Sequence, residues 1–390
     1  MNSDAFAMIV LLNRCGVDMN IRRFVVYLLI TLLSLPGWAA MQISPRPAKP
    51  PVQQQVLPSY ADDAALIRQT FESQLFTLPA FKMGHYGLRM YRQTLDPKYQ
   101  SAVWSDLARV ASRLNAVTTE IHTPAQIKAY SDAREARYQR KDDARSDLRY
   151  LATRDYPEYY FLGVDLLGSM ARANEYGLKH RDDHKLRDII RRYDFARYAT
   201  DPDMIRAWAA QLANQVYWLR QLGEQDVVEP FIAAFRATYP DSQDKQLSEQ
   251  QYMNKIYGMT HIIFAASSYY QYQLKESDFQ WIYDHFRRHI DDILLHTKED
   301  VVAEVGISFL LAGLQDDPVV EKTRQFIQTS IDRQTGMVPS VKGESELYDG
   351  EHRNTLAIML LDWRGVHAAP TVTNQPAMFE SLPYGLVPKY

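Results

Sequence analysis

Three polar residues stand at matching places in the C-terminal half of this chain. His261, Glu304 and His352 each fall near the start of an apolar stretch: Tyr257-Gly-Met-Thr-His261-Ile-Ile-Phe, Val301-Val-Ala-Glu304-Val-Gly-Ile and Glu351-His352-Arg-Asn354-Thr-Leu-Ala-Ile. Glu304 follows His261 by 43 residues, and His352 follows Glu304 by 48. A carboxylate among Val301, Val302, Val305 and Ile307 costs several kcal/mol unless it is paired or hydrogen-bonded. Glu304 therefore needs a buried partner, such as Arg353, or a wet cavity.

Several chemistries fit these residues. Two imidazoles and one carboxylate suit zinc or iron, although no HExxH motif accompanies them. Without a metal, Tyr257 and His261, four residues apart on one helix face, can serve as acid and base on a sugar. Arg353 or Asn354 can then neutralise a uronate carboxylate. A glycoside hydrolase instead needs two carboxylates roughly 5–10 Å apart. Glu304 with Asp349 or Glu351 could provide them, as could Glu158 or Asp165. His85, Tyr160 and Asn254 occupy comparable points on other apolar segments and extend the expected substrate-binding set of Asp349, Arg353 and Asn354. Asp349 also reads as a helix N-cap. The pairs His180/His184 and His285/His289 share an i, i+4 spacing, but both lie in charged surroundings and read as solvated.

A period of 43 to 48 residues indicates stacked helical hairpins. Amphipathic segments are expected at about 60–76, 97–150 (broken near Thr123-Pro124), 183–196, 224–238, 276–296 and 316–333. They alternate with segments apolar on nearly every side, at about 81–94, 156–176, 202–222, 252–273, 299–313 and 350–363. Six of each describe an all-α fold, an (α/α)6 toroid over residues 60–363, with inner helices around an axis and outer helices covering them. The loop Asp332-Arg-Gln-Thr-Gly336-Met-Val-Pro339 and the Asp349-Gly350 turn carry breaker residues between two such segments.

That loop and the acidic-Gly turn after it resemble the repeat of α/α-toroid proteins, a class holding glycoside hydrolases, polysaccharide lyases, terpenoid cyclases and lanthionine cyclases. The resemblance is in motif over 250–363 and in pattern alone over 60–240. Toroid lyases use Tyr, His, Arg and Asn, so it implies a carbohydrate-active enzyme with Tyr257, His261, Glu304 and His352 as its catalytic group. The chain as a whole also resembles an uncharacterised family of exported bacterial proteins, a domain of unknown function. A non-catalytic protein that holds a glycan or peptide in the same funnel is the alternative, and a metal enzyme built on His261, Glu304 and His352 is another.

The N-terminus bears on location. Arg22-Arg23, an apolar run from Phe24 to Leu35 and the exit Pro36-Gly-Trp-Ala-Ala40 have the form of a signal peptide. The run is shorter than the roughly 20 residues of a membrane span, so export to the periplasm, or full secretion, is expected, with no stable membrane anchor after cleavage. Met19 lies just before this unit, and residues 1–18 read as an extended n-region or an upstream start. Cys15 is the single cysteine, so a chain cleaved near residue 40 has neither disulfide nor Cys ligand. Residues 41–59, with five prolines, read as a linker, and 364–390 as an extended tail. A net charge of -3 gives no basic footprint for nucleic acid. No Gly-rich phosphate loop, Ser-His-Asp elbow or EF-hand loop is present, and the leading reading uses no metal or cofactor. The 25 tyrosines among 12% aromatics suit helix packing or the stacking of sugar faces.

Overall fold

The structure, a computed structural model, describes residues 58–138, 143–156 and 158–390. The signal-like segment, Cys15, most of the proline-rich stretch and Pro157 lie outside them.

Helices account for nearly all the regular structure. They are α1 (Tyr60–Glu72), α2 (Ala80–Thr94), α3 (Gln100–Glu120), α4 (Pro124–Tyr138), α5 (Ala144–Thr153), α6 (Leu167–Glu175), α7 (Asp183–Ile190), α8 (Ala196–Ala199), α9 (Pro202–Leu222), α10 (Val228–Thr238), α11 (Glu249–Ala266), α12 (Gln280–His296), α13 (Glu299–Leu311), α14 (Pro318–Ser330) and α15 (Leu347–Leu361). A π-helical segment, Tyr160–Leu166, runs directly into α6. Two three-residue strands, β1 (Leu178–His180) and β2 (Leu386–Pro388), pair antiparallel with Leu178 opposite Pro388. No helix among the described residues is long and apolar enough to cross a membrane.

Local chemistry sets the helix ends. Ser59 and Ser248 open α1 and α11 with capping boxes to Asp62 and Gln251, which satisfy otherwise orphaned backbone N–H groups. Asp201 and Asp317 cap α9 and α14, each followed by proline at the first helical position, where a missing N–H does no harm. Gly223, at φ 70°, closes α9 in the left-handed region. The capping residue of α15 is Glu346, and Asp349 lies exposed in the first turn.

The apolar and amphipathic segments behave as their patterns require. Every residue of α13 from Val301 to Leu311 is buried, whereas α12 buries one stripe that includes Ile282, Tyr283, Phe286, Ile290 and Ile293. Each large apolar side chain removed from water contributes roughly 1.5–3 kcal/mol. Helix α2 packs on α3, α3 on α6, α6 on α9, α9 on α11, α11 on α13 and α13 on α15, and α15 returns to α1 and α2. The α2–α3 approach is close because a Cβ at Gly84 would overlap Asp106. The stretch expected as one broken outer segment, 97–150, is three helices, and α3 packs against both α2 and α6. The tail crosses to β1: Val372 N donates to Tyr176 O at 3.0 Å, and Asn115 Nδ2 donates to Tyr384 O at 2.8 Å.

Candidate functional site

A cavity of about 500 Å³ opens among α2, α3, α4, α6, α9, α11 and α15. Its wall is cationic and aromatic. Arg89, Arg109, Arg113, Arg134 and Arg172 face it against the carboxylates of Asp165 and Glu175, with Phe81, Trp218, Tyr257 and Tyr269 alongside. The arginines come from four helices, and their carboxylate partners hold them in place. Asp165, presented by the π-helical segment, pairs with Arg113 at 2.9 Å and Arg134 at 3.4 Å and accepts the Tyr130 hydroxyl at 2.6 Å. Glu175 pairs with Arg172 at 2.8 Å and with Arg92, behind the wall, at 2.9 Å. Asp106, also behind the wall, holds Arg109 at 2.8 Å and reaches Arg172 at 3.4 Å.

Arg89 differs from the others. It is 6% exposed, and among the described residues it has no carboxylate within ion-pair distance. Its guanidinium donates to the backbone oxygen of His85 at 3.2 Å and lies 5.8 and 5.6 Å from the ring centres of Tyr269 and Tyr270. A buried cation without a counter-ion is costly. Such a group is set to receive an anion.

Beside it, Asn214, His261 and Tyr269 converge. Asn214 Oδ1 accepts the Tyr269 hydroxyl at 2.6 Å and lies 3.1 Å from His261 Nδ1; the Tyr269 oxygen stands 3.3 Å from the same Nδ1. Burial first, then the neighbouring Tyr270 and the Glu304 charge, outweigh Arg89 and hold the Tyr269 phenol well above its ordinary range, so it is protonated at neutral pH. The backbone that presents it is unusual. Ser268, Tyr269 and Tyr270 follow α11 at φ 50°, 54° and 73°. Left-handed backbone at non-glycine residues is costly and clusters at functional sites. Arg92 Nη1 donates to Tyr269 O at 2.5 Å, and Tyr270 N donates to Ser267 Oγ at 3.0 Å, which holds the arch.

Behind His261 lies Glu304, 1% exposed. Its Oε2 accepts Thr260 Oγ1 at 2.6 Å, and its Oε1 stands 3.7 Å from His261 Nε2 and 3.8 Å from His352 Nε2. His261 Nε2 is buried and has no hydrogen-bond partner among the described residues. Burial lowers the His352 pKa, but the Asp300 hydrogen bond and the Asp300 and Glu304 charges overcome it and raise the group. On the other flank, His85 Nδ1 lies 2.5 Å from Glu351 Oε1, and Lys82 lies 3.5 Å from the second oxygen. Burial and Arg89 push the His85 imidazole down to about 4, so a neutral ring donates to an ionised Glu351. Glu351, though burial opposes it, is drawn down to about 2 by this histidine and Lys82.

Tyr257, His261, His352 and His85 therefore line the cavity, with Glu304 directly behind two of them. The remaining expected residues serve other purposes. Asn254 Nδ2 donates to the carbonyls of Ile205 and Arg206 and ties α11 to α9. Arg353 Nε and Asn354 Nδ2 both donate to Val338 O, and Asn354 Oδ1 accepts Val338 N, pinning the loop before α15. Tyr160 is 2% exposed and packs on Tyr159 and Trp208. Asp349 points to solvent. An arginine partner for Glu304 is not found among the described residues; imidazoles take that place. Two other expectations change. His180 is 2% exposed, bonded to Asn115 Oδ1 at 3.0 Å, and His285 is fully buried, so neither is solvated. Among the described residues, the His, Cys, Asp or Glu trio whose ligand atoms lie within 4.8 Å of one another is Asp244, His285 and His289, not His261, Glu304 and His352.

Sequence reasoning missed Tyr269 and the arginines. Tyr269 follows the apolar run of α11 in a stretch with no periodic signal. The arginines are spread over four helices, with Arg109 and Arg113 sharing α3, and each reads as part of a wet face.

Residues 60–389 match one family model, described as a domain of unknown function (DUF3541). No curated protein and no solved structure matches the chain.

Proposed function

The chain belongs to the DUF3541 family, and from its cavity we propose that it is a polysaccharide lyase that cleaves uronate-containing glycans by β-elimination. The closed succession of helices supports reading the fold as an (α/α)6 toroid whose inner helices surround this cavity. Residues 22–40 support reading the chain as exported, into the compartment where such glycans occur.

The observation that carries the reading is Arg89. Its buried guanidinium, without a carboxylate partner among the described residues, faces the same cavity as the Asn214–His261–Tyr269 cluster. A uronate carboxylate at Arg89, with the Asn214 amide, has its negative charge neutralised, and this acidifies the C5 hydrogen. Tyr269 passes its proton to His261 Nδ1, and Glu304 faces the resulting imidazolium at Nε2. The phenolate takes the C5 proton, the C4–O4 bond breaks, and its electrons leave with O4 as a C4=C5 double bond forms. Tyr269 returns that proton to O4, and His261 then restores the phenol. No water is consumed. A hydrolase is less well supported, because both carboxylates lining the cavity, Asp165 and Glu175, are already bound to arginines.

The test is a screen of the purified chain on uronate and neutral polysaccharides, following ultraviolet absorbance of the new double bond. Absorbance that grows on an acidic glycan and vanishes in Tyr269→Phe supports the reading. Acidic glycan binding without double-bond formation indicates a binding protein. Reducing ends released without absorbance indicate hydrolysis.

A further inference from the structure

A second constellation lies outside the cavity wall, where a short helical turn meets α12. The turn Asp241–Gln246 carries Asp244, and α12 carries His285 and His289. One ligand atom from each of these three side chains lies within 4.8 Å of the other two.

The hydrogen bonds around His285 determine what it offers. Its ring is fully buried, and Nδ1 lies 3.1 Å from Asp241 Oδ1. A proton on Nδ1, donated to that carboxylate, leaves a lone pair on Nε2. That nitrogen is 3.8 Å from Asp244 Oδ2, too far for a hydrogen bond, and neither atom has any partner among the described residues. Two buried acceptors thus face each other across a gap. The other oxygens of both aspartates are already engaged: Lys255 Nζ reaches Asp241 Oδ1 at 2.8 Å and Asp244 Oδ1 at 2.6 Å, and Arg288 reaches Asp241 Oδ2 at 3.2 Å. The His289 ring lies 4.6 Å from that of His285, tilted by 33°, and the backbone at His289 leaves the helical region at φ -118° and ψ 15°, bending α12 at this residue.

We propose that Asp244, His285 and His289 bind a divalent transition-metal ion of the zinc class, with water completing the coordination. A cation between His285 Nε2 and Asp244 Oδ2 satisfies both orphaned acceptors at once. Bonds of about 2.0–2.2 Å in tetrahedral geometry place ligand atoms roughly 3.3 Å apart, so the gap closes by about half an ångström. Asp241 then acts as the outer carboxylate that orients a metal-bound imidazole. Two nitrogens and one oxygen select zinc-like ions over calcium or magnesium, which prefer all-oxygen shells. Lys255 offsets part of the aspartate charge and limits affinity. The partial exposure of His289, at 28%, supplies the entry path. The ion ties the turn before α11 to α12, a structural role separate from the chemistry of the cavity.

The test uses the untagged full-length chain, stripped with a chelator and then titrated with Zn²⁺ alone or Co²⁺ alone. The expected result is one tightly held equivalent per chain, a thermal midpoint that rises with Zn²⁺ concentration, and a visible Co²⁺ spectrum of tetrahedral nitrogen–oxygen ligation. His289→Ala and Asp244→Asn should weaken binding about tenfold or more, with circular dichroism reporting that both still fold. His261→Ala should keep its metal. Binding of less than one equivalent, binding unchanged in both His289→Ala and Asp244→Asn, or loss of the ion in His261→Ala instead overturns the proposal.

Discussion

The Tyr269 hydroxyl donates to Asn214 Oδ1 at 2.6 Å, although the two residues are 55 positions apart and Tyr269 stands on left-handed backbone. The arch that holds it costs stability, of order 1–3 kcal/mol per strained residue, and it aims one hydroxyl at Asn214 and His261. Tyr269→Phe keeps the ring and the backbone, so the melting temperature should change little. Turnover on an acidic glycan should fall by about 10²–10⁴-fold. A variant with near-parental turnover would remove Tyr269 from the chemistry.

Arg89 gives a prediction of opposite sign for stability and function. Its guanidinium is buried, with no carboxylate partner among the described residues. Replacing an uncompensated buried charge with an apolar chain of similar length relieves desolvation, so Arg89→Met should raise the thermal midpoint or leave it unchanged. The same substitution should raise KM for a uronate glycan by about tenfold or more while sparing neutral sugars. Lower stability together with unaltered binding would mean that the guanidinium serves the fold.

Glu304 is held by Thr260 and faces two imidazoles. Glu304→Gln retains an oxygen for the Thr260 hydroxyl but removes the charge. The expected stability cost is about 1 kcal/mol, while turnover should drop about 10²-fold because the imidazolium of His261 loses its counter-charge. The His352 pKa, which Glu304 helps to raise, should move down when followed by NMR. Equal losses of folding and turnover, with His352 unmoved, would assign Glu304 to packing.

Much of this was legible in the chain. Apolar runs such as Val301–Leu311 announce fully buried helices, and the striped pattern of Gln280–His296 announces one exposed face. The recurrence of His261, Glu304 and His352 near the starts of apolar runs brought together residues that do meet, although His261 falls late in α11, which begins at Glu249. Asn354 and Arg353 misled because a polar residue beside an apolar run serves a loop carbonyl as readily as a ligand, and here both serve Val338 from the middle of α15. The cationic wall was hidden for a different reason. Arg109, Arg113, Arg134 and Arg172 become a patch only once α3, α4 and α6 are packed together, and nothing in the local pattern of any single helix encodes that.

The flank of the cavity should also make the fold acid-sensitive in two steps. His85 is held neutral, with a folded pKa of about 4 against 6.5 when unfolded. Between these values the unfolded chain binds a proton that the folded chain refuses, so stability falls as pH drops from 6.5 to 4. Glu351 titrates near 2 in the folded state against 4.5 unfolded, so its contribution is present above 4.5 and is lost between 4.5 and 2. His352 runs the other way: its raised pKa contributes below 6.5 and fades as pH rises through the folded value. That term is weak, because His352 and Asp300 are 30% and 29% exposed and water screens them. Acid destabilisation therefore dominates, and the His85 step amounts to roughly 2–3 kcal/mol by pH 4. His85→Gln preserves a donor for Glu351 but cannot titrate. Urea midpoints measured from pH 7.5 to 3.5 should show a flatter upper step in His85→Gln and a smaller lower one, because Glu351 loses the histidine that draws its pKa down. An unchanged upper step would mean that the His85 imidazole accepts its proton in the folded state, and that its neutrality is not what the Arg89 side of the cavity imposes.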